Sequence, residues 1–115
     1  MEETIITSVQ NARIKHVVAL QQKSSLRREE GLFVVEGQRE IEHCKACGYE
    51  VAEEYIRDVN VTPQVYEKMA YRGSTEGHIA VVRCREHTLA KLQFKDNPLI
   101  VVLETVEKPG NLGAI

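Results

Sequence analysis

Residues 31–48 read GLFVVEGQREIEHCKACG and predict a strand followed at once by a helix. Residues 32–35 form a continuous apolar run between two glycines, which is typical of a buried strand. Residues 38–47 then place Ile41 and other apolar side chains on one helical face. Gly48 stands where a helix favours a left-handed residue at its end.

The same alternation of strands and helices continues on both sides of this stretch. Ile14 and Val17 belong to the apolar stripe of a first helix, which we expect to be capped by Ser8 or Asn11 and to fade at Ser24–Ser25. Further strands are expected at 51–56, 78–82 and 99–103, and further helices from Thr62–Pro63 and over 88–94. This order predicts an α/β protein built as a three-layer α/β/α sandwich.

The overall composition excludes several classes of protein. The chain has 115 residues, is 43% hydrophobic and carries a formal charge of −2, which suits one ordinary globular domain. Three cysteines, an odd number, favour a reducing compartment, so we expect a cytoplasmic protein. No apolar run is long enough for a membrane helix, and six aromatic residues without Trp argue against a large base-stacking surface.

The charges are distributed unevenly along the chain. Residues 11–28 contain five basic side chains and no acid, whereas residues 29–60 contain three bases and nine acids, a local charge of −6. Salt screens charges beyond about 8 Å, so a basic segment can bind a polyanion although the whole protein is acidic. The alternative is that these side chains form only the solvated face of a helix.

The last residues, 104–115 (ETVEKPGNLGAI), follow a strand of the fully buried type. Pro and Gly supply turn chemistry, and Ala114–Ile115 begin a helical pattern. We therefore expect residues 1–95 to form one domain, and residues 96–115 to form a linker and the first strand of a second, truncated α/β domain. A tail that packs on the first domain is the alternative.

The string PGNLGAI at 109–115 resembles the first motif of the SpoU/TrmH family of RNA 2′-O-ribose methyltransferases, members of the SPOUT class. The upstream sequence resembles the N-terminal substrate-binding domain of that family. This resemblance rests on Ile6–Ser8, Asn11, Ile14–Lys15, Leu20, Arg27–Arg28, Phe33–Gly37, Arg39, Gly77 and Ile79–Val82. Lys108, where Asp is usual, and His78 depart from the family pattern.

The resemblance implies an L30e-like substrate-binding domain followed by a knotted catalytic domain that binds S-adenosylmethionine and forms a homodimer. Asn111 would shape the active site, and Gly110 and Gly113 would be the motif glycines. Glu104, by its position near the Asn111 turn, is a candidate organiser of the motif, and a solubilising role at the strand end is the alternative. The arginine of the motif would lie beyond Ile115. We therefore expect this chain alone to bind no cofactor and to be inactive.

The residues themselves assign RNA capture to the N-terminal part. No G-x-G-x-x-G is present, whereas cationic side chains are suited to phosphate. The family resemblance implies that the structured RNA is ribosomal or transfer RNA. Its predicted contacts are Asn11, Arg13, Lys15, Lys23, Arg27, Arg28 and Arg39. A non-catalytic RNA-binding protein with the same fold is the alternative.

The cysteines raise one further hypothesis. Cys44 and Cys47, with Cys84 and His87, have the spacing of a Cys₃His zinc site. The helical periodicity around Cys44 favours packing instead, so we expect no metal. A cysteine–histidine dyad that uses His43 or His87 lacks any surrounding catalytic signature.

Overall fold

The computed structural model describes residues 4–71 and 77–105. Within these ranges a three-stranded sheet is surrounded by helices. In chain order the elements are α1 (Ala12–Gln22), α2 (Ser24–Glu30), β1 (Leu32–Glu36), α3 (Gln38–Ala46), β2 (Val51–Ile56), α4 (Pro63–Met69) and β3 (His78–Arg83), followed by a single 3₁₀ turn at Leu89–Lys91. The prediction of a mixed α/β fold is confirmed.

The last strand of the domain occupies the centre of the sheet, whose order is β1-β3-β2. Both outer strands run antiparallel to β3, with Val34 opposite Val81 and Glu54 opposite Ala80. The pairing of β2 is irregular between Val51 and Glu53. Strand β2 is thus an edge strand, which leaves backbone groups on its outer side for other partners.

The two faces of β3 pack into two separate apolar clusters. Ile79 and Val81 belong to the larger cluster, together with buried side chains of α1 and α4. Ala80 and Val82 pack with Ile41 of α3 in the smaller one. Successive side chains of a strand point to opposite faces, so one apolar strand supports helices on both sides.

The predicted helix ends agree with local chemistry. Asn11 caps α1, its Oδ1 accepting from the backbone N–H of Arg13 at 2.9 Å. Thr62 caps α4 in the same way: its Oγ1 accepts from the backbone N–H of Val65. Pro63 occupies the first position of this helix. Gly48, which follows α3, has a φ of +86°.

The first helix ends at Gln22, two residues before the expected fading at Ser24–Ser25, but the helix that follows was not predicted. The chain becomes extended at Lys23 and then begins a second helix, α2, at Ser24. His16 of α1 and Glu30 of α2 hold the two helices together, with Nε2 and Oε1 2.8 Å apart. Contacts between the helices, rather than an apolar period, therefore produce α2.

Two predictions for the C-terminal part are also wrong. The helix expected over 88–94 is a single 3₁₀ turn. Leu99–Leu103, expected as a buried strand, is not in a strand, and Leu99 and Val102 are 91% and 87% exposed. Among the described residues no strand lies beside this segment to supply the ladder of hydrogen bonds that a strand requires.

Candidate nucleic-acid interface

Asn11 and Arg13, two of the predicted RNA contacts, lie together at the start of α1. The guanidinium of Arg13 is 5.3 Å from the centre of the Tyr55 ring, and its Nε is 3.6 Å from Oε1 of Glu53. The Tyr55 hydroxyl donates to the same carboxylate oxygen. Arg13 is therefore tied to strand β2, although more than half of its side chain is exposed.

These residues border an open groove of about 960 Å³. The other walls are the N-terminal segment 4–8, strand β2 and Asn60. The amide of Asn60 occupies the outer edge of β2, where it accepts from the N–H of Ile56 at 2.7 Å and donates to the carbonyl of Glu54 at 2.8 Å. The groove is thus polar, and its volume suits a ligand of nucleotide size.

Four other predicted contacts are exposed cations without an ion pair among the described residues. They are Lys15, Lys23, Arg28 and Arg39. Lys15 follows Arg13 by two positions, so the two side chains leave the helix about 160° apart, on nearly opposite sides. The four cations are distributed over α1, the junction between α1 and α2, α2 itself and the start of α3.

Arg27 has a structural role in addition to its charge. Its Nη1 donates to the carbonyl oxygens of Leu20 and Gln21 at 2.6 and 3.0 Å. These carbonyls belong to the last turn of α1, where the helix itself offers no donor. Arg27 therefore fixes the junction between α1 and α2.

Arg27 also lines a second hollow, of about 530 Å³, at the C-terminal end of α1. Residues 33–36 of β1 form one wall and Tyr71 another. Tyr71 is 82% exposed, and its backbone N–H donates to the buried carboxylate of Glu36. The groove and the hollow lie at opposite ends of an 11-residue helix that is about 16 Å long.

Sequence reasoning missed Tyr71 and Asn60. Tyr71 follows α4 and has no neighbours of its own type in sequence, so no pattern indicates its exposure. Asn60 lies in the turn after β2, where an Asn is usually explained by turn chemistry alone. Only the tertiary structure shows that each of them borders a cavity.

The cysteines do not form a metal centre in the part of the chain that the structure describes, where no three His, Cys, Asp or Glu side chains are grouped as ligands. His87 instead shares a 3.1 Å hydrogen bond with the hydroxyl of Tyr49. Burial, and to a lesser extent the neighbouring Cys47, raise the pKa of the Cys44 thiol, which disfavours the thiolate that zinc requires.

Of the predicted catalytic residues and motif glycines, the structure describes only Glu104. Glu104 is exposed in the C-terminal stretch, and Gly110, Asn111 and Gly113 lie outside the described residues. No helix among residues 4–71 and 77–105 is long and apolar enough to cross a membrane.

Comparison with known proteins identifies the family. Residues 11–102 match the MRM3-like substrate binding domain, and the chain belongs to that family. A solved RNA 2′-O ribose methyltransferase is similar over 96% of the chain, with 31% identity and a TM-score of 0.72. The SpoU methyltransferase AviRb from Streptomyces viridochromogenes, solved with AdoMet, shares the fold over 78% of the chain, with 21% identity and a TM-score of 0.65.

The chain spans 49% and 42% of the lengths of these two enzymes. A search of curated proteins gives no match. The resemblance to SpoU-type RNA 2′-O-ribose methyltransferases, and to their substrate-binding domain in particular, is thereby confirmed.

Proposed function

We propose that this chain is the RNA-binding portion of an S-adenosylmethionine-dependent RNA 2′-O-ribose methyltransferase that acts on ribosomal or transfer RNA. The match of residues 11–102 to a substrate-binding domain carries the proposal. The 31% identity to an RNA 2′-O ribose methyltransferase over nearly the whole chain supports it. The parent enzyme would be cytoplasmic and homodimeric.

The proposed domain is an L30e-like three-layer sandwich over residues 1–95, with residues 96–115 leading into the catalytic domain. The packing of α1 and α4 on one face of β3, and of α3 on the other, supports the three layers. The run of exposed apolar side chains at 99–103 supports the boundary, because such side chains normally require a covering partner.

The role of the described residues is to bind and orient the RNA. Lys15, Lys23, Arg28 and Arg39 contact phosphates, which gives affinity and register rather than choice of sequence. Holding the RNA lowers the entropic cost of aligning one ribose with a reactive group. Asn11 and the groove beside it offer hydrogen bonds to a sugar or a base.

The chemical step belongs to the other part of the enzyme. S-adenosylmethionine supplies an electrophilic methyl group when bound, and we assign no described residue to it. The proposed active-site residues are Asn111, Glu104 and the glycines at 110 and 113. We assign no described residue to the activation of the weakly acidic 2′-hydroxyl, and we expect the chain alone to be inactive.

The RNA-binding part of the proposal is tested by removing two unpaired cations. K23Q/R28Q is expected to weaken binding to structured RNA and to reduce the slope of log K against log salt by about 1 to 2. K91Q is the control, because Lys91 is paired with Glu86 at 2.8 Å. Equal affinities and equal slopes for all three proteins would refute this assignment.

The enzymatic part requires the full-length protein. Labelled methyl donor and total RNA should give label on a ribose 2′-oxygen with the whole enzyme and none with residues 1–115. RNA binding without methylation by the full-length protein would instead indicate a non-catalytic RNA-binding protein.

A further inference from the structure

We infer that the hollow at the C-terminal end of α1 holds an unpaired nucleobase of the RNA, with the ring of Tyr71 stacked on the base. This inference rests on the proposed function, since it names a specific contact within the RNA-binding domain. It also differs from what the composition suggests. A protein with few aromatic residues would be expected to recognise its RNA by shape alone.

The hollow has the size and the walls that a planar ring requires. Its volume of about 530 Å³ falls within the range of small-molecule sites. The half-buried apolar residues Phe33, Val34 and Val35 of β1 line it, whereas the Leu20 side chain is fully buried beneath. At its mouth stands Tyr71, whose backbone N–H is anchored to Glu36 while its side chain remains 82% exposed. A fixed backbone with a free ring is suited to stacking.

The charges favour a base over a phosphate inside the hollow. The two carboxylates of the described lining, Glu36 and Glu40, outnumber its one cation, Arg27, whose Nη1 is already bound to two carbonyls, so the net charge would repel a phosphate group. Phosphates would therefore remain outside the hollow, where solvent-exposed cations such as Arg28, which follows Arg27 on α2, are available. An uncharged base with amino groups meets no such repulsion.

Two polar side chains of the wall are held in place by the protein itself. The side-chain amide N–H of Gln21 donates to the backbone carbonyl of Met69 at 2.7 Å, which leaves the side-chain oxygen Oε1 of Gln21 as an acceptor. Nη1 of Arg27 is engaged by two helix carbonyls, which fixes the plane of the guanidinium. Prearranged groups bind at a lower entropic cost than mobile ones.

The absence of Trp from the chain allows a direct test. Y71W places a single fluorophore at the mouth of the hollow, and F94W places one at an exposed aromatic position outside it as the control. Short single-stranded RNA should quench the fluorescence of Y71W, duplex RNA of equal length should quench it far less, and F94W should respond to neither.

The binding measurement uses Y71A and Y71F at one salt concentration. Loss of one stacking contact is expected to weaken binding of RNA with unpaired bases about 5- to 100-fold in Y71A, with little change in Y71F. The salt slope should stay unchanged, because no phosphate contact is removed. Circular dichroism and the unfolding midpoint verify that the variants fold.

The outcomes separate this inference from the proposed function. If wild-type protein binds RNA with a steep salt slope while Y71A binds equally tightly and Y71W shows no quenching, the base site is refuted and RNA binding stands. If the wild-type protein binds no RNA, both fail. Weaker binding of Y71A together with quenching specific to single strands supports the inference.

Discussion

Nη1 of Arg27 lies 2.6 Å from the carbonyl oxygen of Leu20, so a side chain predicted to contact phosphate also closes the first helix. The same nitrogen reaches the carbonyl of Gln21. Replacing Arg27 would therefore change the fold and the charge together. A loss of RNA binding in such a variant could not be assigned to phosphate contact alone, which is why Lys23 and Arg28 are the better probes.

R27A is expected to lower the free energy of unfolding by about 2 kcal/mol, because two carbonyls of α1 lose their charged donor. R28A is the control: it removes an equal charge from an exposed neighbouring position. Urea unfolding should give a lower midpoint for R27A and an unchanged one for R28A. Equal midpoints would show that the two hydrogen bonds contribute nothing.

The elements that were predicted correctly carry local signals, such as an apolar period or a capping residue, in their own sequence. Helix α1 has an apolar period and a capping Asn, and α4 has Thr and Pro at its start. Helix α2 has neither, with Leu26 as its only large apolar side chain. It depends on the pair His16–Glu30 and on Arg27, which are contacts between helices that no local pattern reveals.

The candidate site was predictable in its chemistry but not in its arrangement. Charge alone indicated Arg13 and Arg27 as phosphate contacts. Whether a cation is available depends on partners distant in sequence, such as Glu53 for Arg13. The exposure of Tyr71 likewise follows from how α4 meets β1, and composition alone argued against an aromatic contact.

Any side chain at Gly37, between β1 and α3, is expected to destabilise the fold. Its φ is +106° and ψ is 136°, a conformation that is essentially restricted to glycine, and its N–H donates to the carbonyl of His78 at 2.9 Å. G37A should destabilise the fold by about 1–3 kcal/mol.

The matched substitution for this test is G31N. Gly31 has a φ of +65° and ψ of 38°, the ordinary left-handed region that Asn tolerates, and a Cβ there meets no atom within 4 Å. Denaturant unfolding should therefore show a much smaller loss for G31N than for G37A. A similar loss in both variants would contradict the conformational argument.

Tyr55 should make stability depend on alkaline pH. Burial, and then the hydrogen bond and charge of Glu53, raise the pKa of Tyr55 to about 12, above the value of about 10 for an unfolded chain. The folded state thus favours the neutral phenol. This contribution is complete below pH ~10 and is lost as the pH rises through ~12.

Y55F isolates that contribution. Phenylalanine removes the hydrogen bond to Glu53, so the variant is expected to be less stable at neutral pH. Between pH ~10 and ~12, however, the wild-type protein should lose about 2–3 kcal/mol more than Y55F does. Parallel curves of unfolding free energy against pH would contradict a raised pKa at Tyr55.

The three thiols should react at different rates. Burial and the adjacent Cys47 raise the pKa of Cys44, so less of its reactive thiolate exists at neutral pH. Cys47 and Cys84 are exposed. Limited treatment with iodoacetamide, followed by peptide mass mapping, should therefore show alkylation of Cys47 and Cys84 before Cys44. Equal rates at all three would contradict the shielding of Cys44.

Adding zinc before the alkylation turns the same measurement into a test of the Cys₃His hypothesis. A tetrahedral site would bind all three sulfurs as thiolates and protect them together. We expect zinc to leave the order and the rates unchanged, because His87 is hydrogen-bonded to Tyr49 and Cys44 favours its protonated form. Joint protection of the three cysteines at stoichiometric zinc would overturn this expectation, and H87A should then abolish the protection.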